Sequence, residues 1–255
     1  ALVGALLVSL PLLWPGRQPP QRRIWSPLLK RGQRIGCVPA PGEAMAAWCE
    51  RLAQQRPELA HLRALGVELV KADFAREGEV DGLIAALAPY QDLALVIHNA
   101  SAFEPQADEQ SAQLAQFEQF YRVHMAAPFQ LNRALAPRLA QNANAGIIHV
   151  TDIYIHAPAP RFAAYVATKA GAHSLAMSFA RELAPAVRVN TIEPGPILFL
   201  DEHGDEWREQ VLAKTPLARE GGLEPIWQAV QLLIQNDYMT GASIRVDGGR
   251  SLAVI

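Results

Sequence analysis

From about Gly66 onward, apolar and polar positions fall into blocks of two kinds along the chain. Short runs rich in β-branched residues predict strands over Val67–Ala72, Leu93–His98, Gly146–Val150, Val187–Ile192 and Ala242–Val246. Longer amphipathic stretches predict helices over Glu79–Pro89, Ser111–Asn142, Phe162–Ala184 and Pro225–Asn236. Strands that alternate with helices in this way indicate βαβ units, so the sequence predicts a single α/β domain with a doubly wound, Rossmann-like parallel sheet.

The beginning of the chain departs from this pattern. Ile24–Leu29 is a candidate first strand, and Gly32–Gly36 (GQRIG) is a candidate turn into the first helix. The next segment, Cys37–Gln55, has prolines where a helix would begin and contains no clear second strand. We therefore expect the first βαβ unit to be divergent or damaged. The segment Ala1–Gln55 is either a divergent fold or a partly misread translation, with the ordinary pattern resuming near Arg56.

An apolar run over Ala1–Trp14 is broken by Pro11 and is too short to span a bilayer. No basic residue precedes the run and no clear small-residue cleavage site follows it, which is unlike a signal peptide. We interpret residues 1–23 as a non-native or disordered extension and residues 24–255 as the Rossmann-like domain.

Composition narrows the expected partners. Half of the residues are apolar and 19% are charged, so the chain can bury a large core. The formal net charge is -2, without a basic stripe, which argues against nucleic acid as a partner. The two cysteines, Cys37 and Cys49, have neither metal-ligand spacing nor a disulfide framework. We expect a cytoplasmic protein with no metal site and no membrane span.

Tyr165 and Lys169 are the candidate chemical centre, in the motif YVATK at the start of a predicted helix. Residues at positions i and i+4 share a helix face. An ammonium close to a phenol favours the phenolate and lowers its pKa, which makes the tyrosine a usable acid or base. The same spacing is common on solvated helix faces, so the pair carries weight only with its neighbours.

Those neighbours lie where predicted strands end. Asp152 stands thirteen residues before Tyr165, Asn99–Ser101 follows the second predicted strand, and Pro194–Gly195 follows the fourth. In open α/β sheets, ligands bind beyond the carboxyl ends of the strands. Each motif alone also fits an ordinary turn, but together and in this order they indicate one ligand site.

Over Gly66–Leu252 these motifs resemble the short-chain dehydrogenases/reductases. The resemblance implies that Tyr165 donates a proton, and that Lys169 lowers the tyrosine pKa and holds the nicotinamide ribose of a bound cofactor. Arg34 and Gly36 stand where the family binds the cofactor phosphates. The other cofactor-binding residues that the resemblance implies are Asp73, Phe74, Asn99, Ala100, Ser101, Pro194, Gly195 and Ile197.

Two departures narrow the resemblance. Most members have serine where this chain has Asp152, and asparagine where it has His124. Asp152 together with Asn99–Phe103 (NASAF) is similar to pteridine reductases and bacterial dihydromonapterin reductases. That similarity implies an NADPH-dependent reductase of dihydropterins to tetrahydropterins, and it leaves NADH open. The substrate-binding residues that it implies are Arg34, Phe103, Asp152 and Tyr165.

The chemistry of a pterin agrees with these residues. Reduction of a C=N bond needs a hydride at carbon and a proton at nitrogen, and Asp152 beside Tyr165 offers a proton relay through water. The carboxylate also opposes phenolate formation, which favours Tyr165 as an acid. Phe103 offers an aromatic plane for a flat heterocycle. Structural roles stay open for each: Phe103 as a loop anchor, Asp152 as a turn cap, and His124 as a buried histidine bonded to a backbone carbonyl.

Other functions also stay open. The chain could reduce a different carbonyl or enoyl substrate, or it could be a catalytically silent dinucleotide-binding protein. The resemblance implies a homo-oligomer, a dimer or tetramer, formed through the predicted helices Ser111–Asn142 and Phe162–Ala184. The alanines of the second helix would allow close approach of two helices, although they could equally pack onto the sheet.

Overall fold

The computed structural model describes residues 4–9, 67–199 and 204–253. Two strands, β1 (Gly4–Ser9) and β2 (Val67–Ala72), pair in antiparallel orientation. Four further strands form a parallel sheet in the order of the sequence. They are β3 (Leu95–His98), β4 (Gly146–Val150), β5 (Arg188–Pro194) and β6 (Ser243–Val246).

Helices connect the consecutive strands from β2 onward. They are α1 (Glu79–Ala86), α2 (Gln110–Tyr121), α3 (Ala127–Leu139), α4 (Ala163–Leu183), α5 (Asp205–Ala213) and α6 (Glu224–Gln235). Neighbouring parallel strands need such crossovers, because a tight turn cannot join them. The predicted α/β fold with a parallel sheet is confirmed. One expected helix, Ser111–Asn142, proves to be two helices joined by a π-helical turn at Arg122–Ala126.

The sheet is covered on both faces, as a doubly wound sheet requires. Successive residues of a strand point to opposite sides. Ile147 belongs to the larger core, which includes Leu135 of α3 and Ala176 of α4. Its neighbour Ile148 belongs to a second core with residues of α6, such as Leu233. This two-sided burial explains why the run Gly146–Val150 is apolar at nearly every position.

The sequence expectations for the beginning of the chain fall mostly outside the described residues. The candidate strand Ile24–Leu29, the turn Gly32–Gly36 and the boundary at residue 23 therefore remain predictions. Within the described residues, no helix is both long and apolar enough to cross a membrane.

Candidate active site

The candidate residues of the described part of the chain gather at the carboxyl ends of the parallel strands. Asn99 follows β3, Asp152 lies two residues after β4, and Gly195 follows β5 directly. Tyr165 and Lys169 lie in the first two turns of α4, which packs against β5. Parallel strands end at the same edge of a sheet, so distant segments of the sequence supply one site.

Tyr165 and Asp152 form the centre of this site. The Tyr165 hydroxyl donates a hydrogen bond to Asp152 Oδ2 at 2.8 Å. The second carboxyl oxygen, Oδ1, accepts from the backbone N–H of Tyr154 at 2.8 Å. Asp152 therefore caps the short 3₁₀ turn that follows it and also binds the tyrosine, so the two roles proposed for it from sequence are compatible.

The surroundings of this pair favour uncharged forms. Burial raises the pKa of Tyr165 well above its ordinary value, and the negative charge of Asp152 acts in the same direction. Burial also raises the pKa of Asp152, although its hydrogen bonds to Tyr154 and Tyr165 oppose this rise. Both effects follow from the cost of a charge with little access to water. Tyr165 is therefore held as a phenol.

Lys169 lies beside the tyrosine and is almost fully buried. Its Nζ donates a hydrogen bond to the Val150 carbonyl at 3.1 Å and lies 5.7 Å from the centre of the Tyr165 ring. Burial lowers the pKa of Lys169 to about 8, while Asp152 acts in the opposite direction. An ammonium has three N–H donors, so this side chain can bind further acceptors.

Aromatic rings line one side of the site. Phe103 stacks on Phe162 with centroids 4.9 Å apart and planes 13° from parallel. It also meets the Tyr165 ring edge-on, at 4.9 Å. Phe103 is still 41% exposed, so the loop after β3 presents an aromatic surface next to the tyrosine ring. Phe162 was not among the residues that sequence reasoning selected.

A cleft opens beside the end of β3. Its walls are Phe74, Ile97, His98, Asn99, Ala100, Val123 and Pro128. The structure thus brings together three predicted cofactor residues, Phe74, Asn99 and Ala100. Asp73 lies next to them, where its carboxylate accepts from the Ala75 N–H at 3.1 Å and pairs with Arg76 at 3.2 Å.

The predicted residues Pro194, Gly195 and Ile197 lie at the end of β5. The backbone of Gly195 lies very close to Asp247, which follows β6. A Cβ on residue 195 would lie 2.5 Å from the Cβ of Asp247. Packing alone therefore requires glycine at this position. Ile197 continues the tight turn, with its N–H bonded to the Gly195 carbonyl at 2.8 Å. Arg34 and Gly36, the remaining predicted residues, lie outside the described part of the chain.

A second buried acid lies next to this site and was missed at the sequence level. Glu193 of β5 is 1% exposed. Its carboxylate lies 3.0 Å from His156 Nε2, 3.4 Å from Arg245 Nε and 3.7 Å from His173 Nδ1. The available signal was a glutamate near the end of the predicted strand sequence VRVNTIEP. Among the described residues, no group of acidic, histidine or cysteine side chains is arranged to hold a metal ion.

Comparison with known proteins identifies the family to which this chain belongs. Residues 43–251 match a family described as Enoyl-(Acyl carrier protein) reductase. The chain is also 35% identical over 200 residues to a dihydromonapterin reductase of Enterobacter sp. (strain 638), covering 77% of this chain and 82% of the relative. The chain belongs to the short-chain dehydrogenase/reductase family. It is therefore an NAD(P)-dependent oxidoreductase, as its tyrosine and lysine predict.

Solved structures agree with this membership. The FolM alternative dihydrofolate reductase 1 from Brucella canis, complexed with NADP, superimposes with a TM-score of 0.69 at 27% identity. The match covers 80% of this chain and 81% of that one. A short chain dehydrogenase/reductase family protein gives a TM-score of 0.59 at 30% identity, covering 71% and 76% of the two chains.

The residues of this chain fit the dinucleotide that the family uses. The cleft beside β3 is lined mostly by apolar residues, and the exposed residue Asn99 lies among them. Lys169 brings a buried ammonium to the same edge of the sheet, close to the tyrosine. An apolar cleft with a few polar groups at one end is the usual form of a cofactor site.

Proposed function

We propose that this protein is an NADPH-dependent reductase that converts dihydropterins to tetrahydropterins. The observation that carries the proposal is the 2.8 Å hydrogen bond from the Tyr165 hydroxyl to Asp152. Two groups with raised pKa values form a proton-donating pair, and protonation of a ring nitrogen requires such a donor. The similarity to a dihydromonapterin reductase supports the same substrate class.

The catalytic roles that we propose follow from the contacts. When bound, the reduced nicotinamide supplies a hydride to the carbon of the C=N bond. Tyr165 donates its hydroxyl proton to the nitrogen, so that one C–H and one N–H bond form. The phenolate that remains regains a proton from Asp152 or from water held by it. Lys169, with its positive charge, stabilises the phenolate until that proton arrives.

Cofactor binding would use the cleft and the lysine. We propose that Phe74, Asn99 and Ala100 hold the adenosine half, and that Lys169 donates to the ribose hydroxyls of the nicotinamide half. The remaining residues of the proposed cofactor site are Arg34, Gly36, Asp73, Ser101, Pro194, Gly195 and Ile197. NADPH, and not NADH, is proposed because the Brucella canis relative was crystallised with NADP.

The substrate would lie against the aromatic surface of Phe103. This ring already stacks on Phe162, which holds its plane in place, and it meets the Tyr165 ring edge-on. A flat heterocycle gains favourable contact with such a ring. Arg34 is proposed as a further substrate contact from the resemblance alone.

A second candidate is reduction of an enoyl or carbonyl substrate. The description of the matching family, Enoyl-(Acyl carrier protein) reductase, favours it. Asp152 separates the two candidates, because a carboxyl can relay a proton, whereas the serine usual in the family polarises a carbonyl.

We also propose that the protein forms a homo-oligomer. Leu114, Phe117 and Tyr121 share one face of α2 and are 61%, 43% and 50% exposed. Ala172 and Ala176 of α4 are buried within the chain itself, so the inner alanines of that helix serve its packing on the sheet. Light scattering on the intact protein and on a Phe117→Lys variant would measure the assembly and the contribution of this face.

The test of the catalytic proposal is the loss of NADPH absorbance when the purified protein meets a dihydropterin. Parallel reactions contain NADH, a simple ketone or an enoyl thioester. We expect rapid oxidation of NADPH with the dihydropterin and slow or no oxidation in the others. Faster turnover of the enoyl thioester or the ketone would support the second candidate and contradict the pterin proposal.

A further inference from the structure

His124 occupies an unusual place behind the active site. It lies in the π turn Arg122–Ala126 between α2 and α3, and it is 3% exposed. Its ring stacks on Phe120 with centroids 5.7 Å apart and meets Tyr165 edge-on at 5.5 Å. The proton-transfer scheme above gives this imidazole no role, although it touches the ring of the proposed proton donor.

Hydrogen bonds to both ring nitrogens fix the tautomer of His124. Nε2 lies 3.2 Å from the backbone nitrogen of Ala102, whose N–H can only donate, so Nε2 must be the acceptor and carries no proton. The Ser101 hydroxyl lies 3.0 Å from the same nitrogen. A neutral imidazole then has its hydrogen on Nδ1, which donates to Thr168 Oγ1 at 2.8 Å.

Thr168 extends this connection to the tyrosine. Its hydroxyl donates to the Tyr165 backbone carbonyl at 2.8 Å, so it accepts from His124 and donates onward. Burial lowers the pKa of His124 to about 2, and the positive charge of Lys169 acts in the same direction. The imidazole therefore stays neutral over the working pH range. Its two hydrogen bonds consequently persist at any pH at which an enzyme of this kind is assayed.

We propose that His124 is a positioning residue, whose neutral Nδ1–H imidazole ties the loop carrying Ser101 and Phe103 to the turn of α4 carrying Tyr165 and Lys169. This inference rests on the proposed function, because it assigns the geometry of that same site. The loop follows β3 and the turn opens α4, and the chain separates them by more than sixty positions. The imidazole joins them through one acceptor and one donor.

The tautomer is the first test. In the intact protein labelled with ¹⁵N at histidine, we expect His124 to show a protonated Nδ1 and an unprotonated Nε2, with no titration between pH 5 and 9. The His124→Gln variant assigns the signal by its disappearance. A protonated Nε2, or titration near neutral pH, would overturn the inference.

Matched variants provide the second test. His124→Gln keeps one acceptor and one donor, whereas His124→Leu has a similar volume and neither. We expect His124→Leu to lower kcat with a dihydropterin by roughly ten- to a hundredfold, because misplacement of reacting groups is costly. The NADPH dissociation constant should change by less than about threefold, since the effect lies in orientation and not in cofactor binding. A kcat for His124→Leu equal to that of the unaltered enzyme would overturn the inference.

Thr168 tests the same connection if His124→Leu does not fold. Thr168→Val keeps the shape and loses both hydrogen bonds, whereas Thr168→Ser keeps them. We expect kcat to fall in Thr168→Val and to be retained in Thr168→Ser, and equal values in the two would contradict the proposed tie. If the unaltered protein turns over no dihydropterin, only the proposed function fails. The ¹⁵N spectrum then still decides the tautomer and with it the inference.

Discussion

Two carboxyl groups, one half-buried and one fully buried, lie at the ends of neighbouring strands, and their surroundings differ. Asp152, after β4, accepts hydrogen bonds from a phenol and a backbone N–H. Glu193, in β5, is met by two histidines and an arginine. Both side chains are sheltered from water, so their partners decide what each can do.

We interpret Asp152 as the reactive acid and Glu193 as a structural one. The hydrogen-bond partners of Asp152 are uncharged and burial raises its pKa, although the positive charge of Lys169 acts in the opposite direction. Arg245 of β6, His173 of α4 and His156 all lie close to the Glu193 carboxylate, so this side chain connects three segments of the chain. We therefore expect changes at Asp152 to affect rate and changes at Glu193 to affect stability.

The largest effect should come from Tyr165→Phe. Loss of the hydroxyl removes the proton donor, and we expect kcat to fall about a thousandfold. The ring and its packing remain, so NADPH should bind with an unchanged dissociation constant in a fluorescence titration. Tyr238→Phe, at a position that is 97% exposed, is the control. Full activity of Tyr165→Phe would refute the mechanism.

Asp152→Asn should come next. The amide keeps the shape but cannot carry the proton, and we expect about a hundredfold lower kcat with a dihydropterin. The folded state should not be less stable at neutral pH. Folding raises the pKa of Asp152, so at any pH above the pKa of the unfolded chain the ionised carboxyl is less favourable in the folded state than in the unfolded one. An uncharged amide at this position removes that cost. A variant that is active but markedly easier to unfold would give Asp152 the structural role instead.

The pH dependence of kcat/KM tests the role of Lys169, which lies beside Tyr165 and Asp152. Lys169 has a pKa of about 8, so it loses its positive charge as the pH rises through that value. We expect kcat/KM to fall about tenfold per pH unit above this point. A limb at lower pH that disappears in Asp152→Asn would belong to the carboxyl. A profile flat to pH 9.5, with the protein shown to be folded throughout, would contradict the role of Lys169.

Phe103→Ala should have a smaller effect. Loss of the exposed aromatic surface should raise KM for the dihydropterin about three- to tenfold, with kcat nearly unchanged. Phe129→Ala is a matched control, because its ring is 42% exposed, against 41% for Phe103, and lies on α3. Equal KM values in the two variants would show that Phe103 only anchors its loop.

Glu193→Gln should have the smallest effect on rate. We expect kcat to change by less than about twofold, while the free energy of unfolding in urea falls by about 1–2 kcal/mol. The loss is moderate because His156 and Arg245 are nearly half exposed and regain water. Glu209→Gln, on the exposed surface, is the control. A rate loss comparable to that of Asp152→Asn would mean that the two acids share the proton.

The sequence predicted those parts of the molecule that depend on local periodicity. The five expected strands were found with every end within two residues of the prediction, because each is a short run rich in β-branched residues. The first of them, β2, pairs with β1 in antiparallel orientation and is not part of the parallel sheet. The proximity of Asp152 to Tyr165 was also predictable, since both stand at positions fixed by a strand end and a helix start. The roles of these residues remain predictions.

The features that were missed depend on contacts between distant segments. Glu193 meets His156, His173 and Arg245 only after β5, α4 and β6 have packed, and no periodicity marks such a cluster. The tautomer of His124 is set by Ala102 and Thr168, which lie 22 and 44 positions away. Partners of this kind follow from tertiary structure, so single-sequence reasoning left the role of His124 open.

The π turn at Arg122–Ala126 restricts how the chain can change in length. A π turn contains one residue more than a turn of α-helix, so removing a residue there restores regular helix. The restored helix would rotate all of α3 by about 100° relative to α2. Leu131, Leu135 and Leu139 would then leave the core in which they are buried. Substitutions in this segment act locally, whereas a single deletion would displace a whole helix face, and insertions and deletions should be absent here among functional variants.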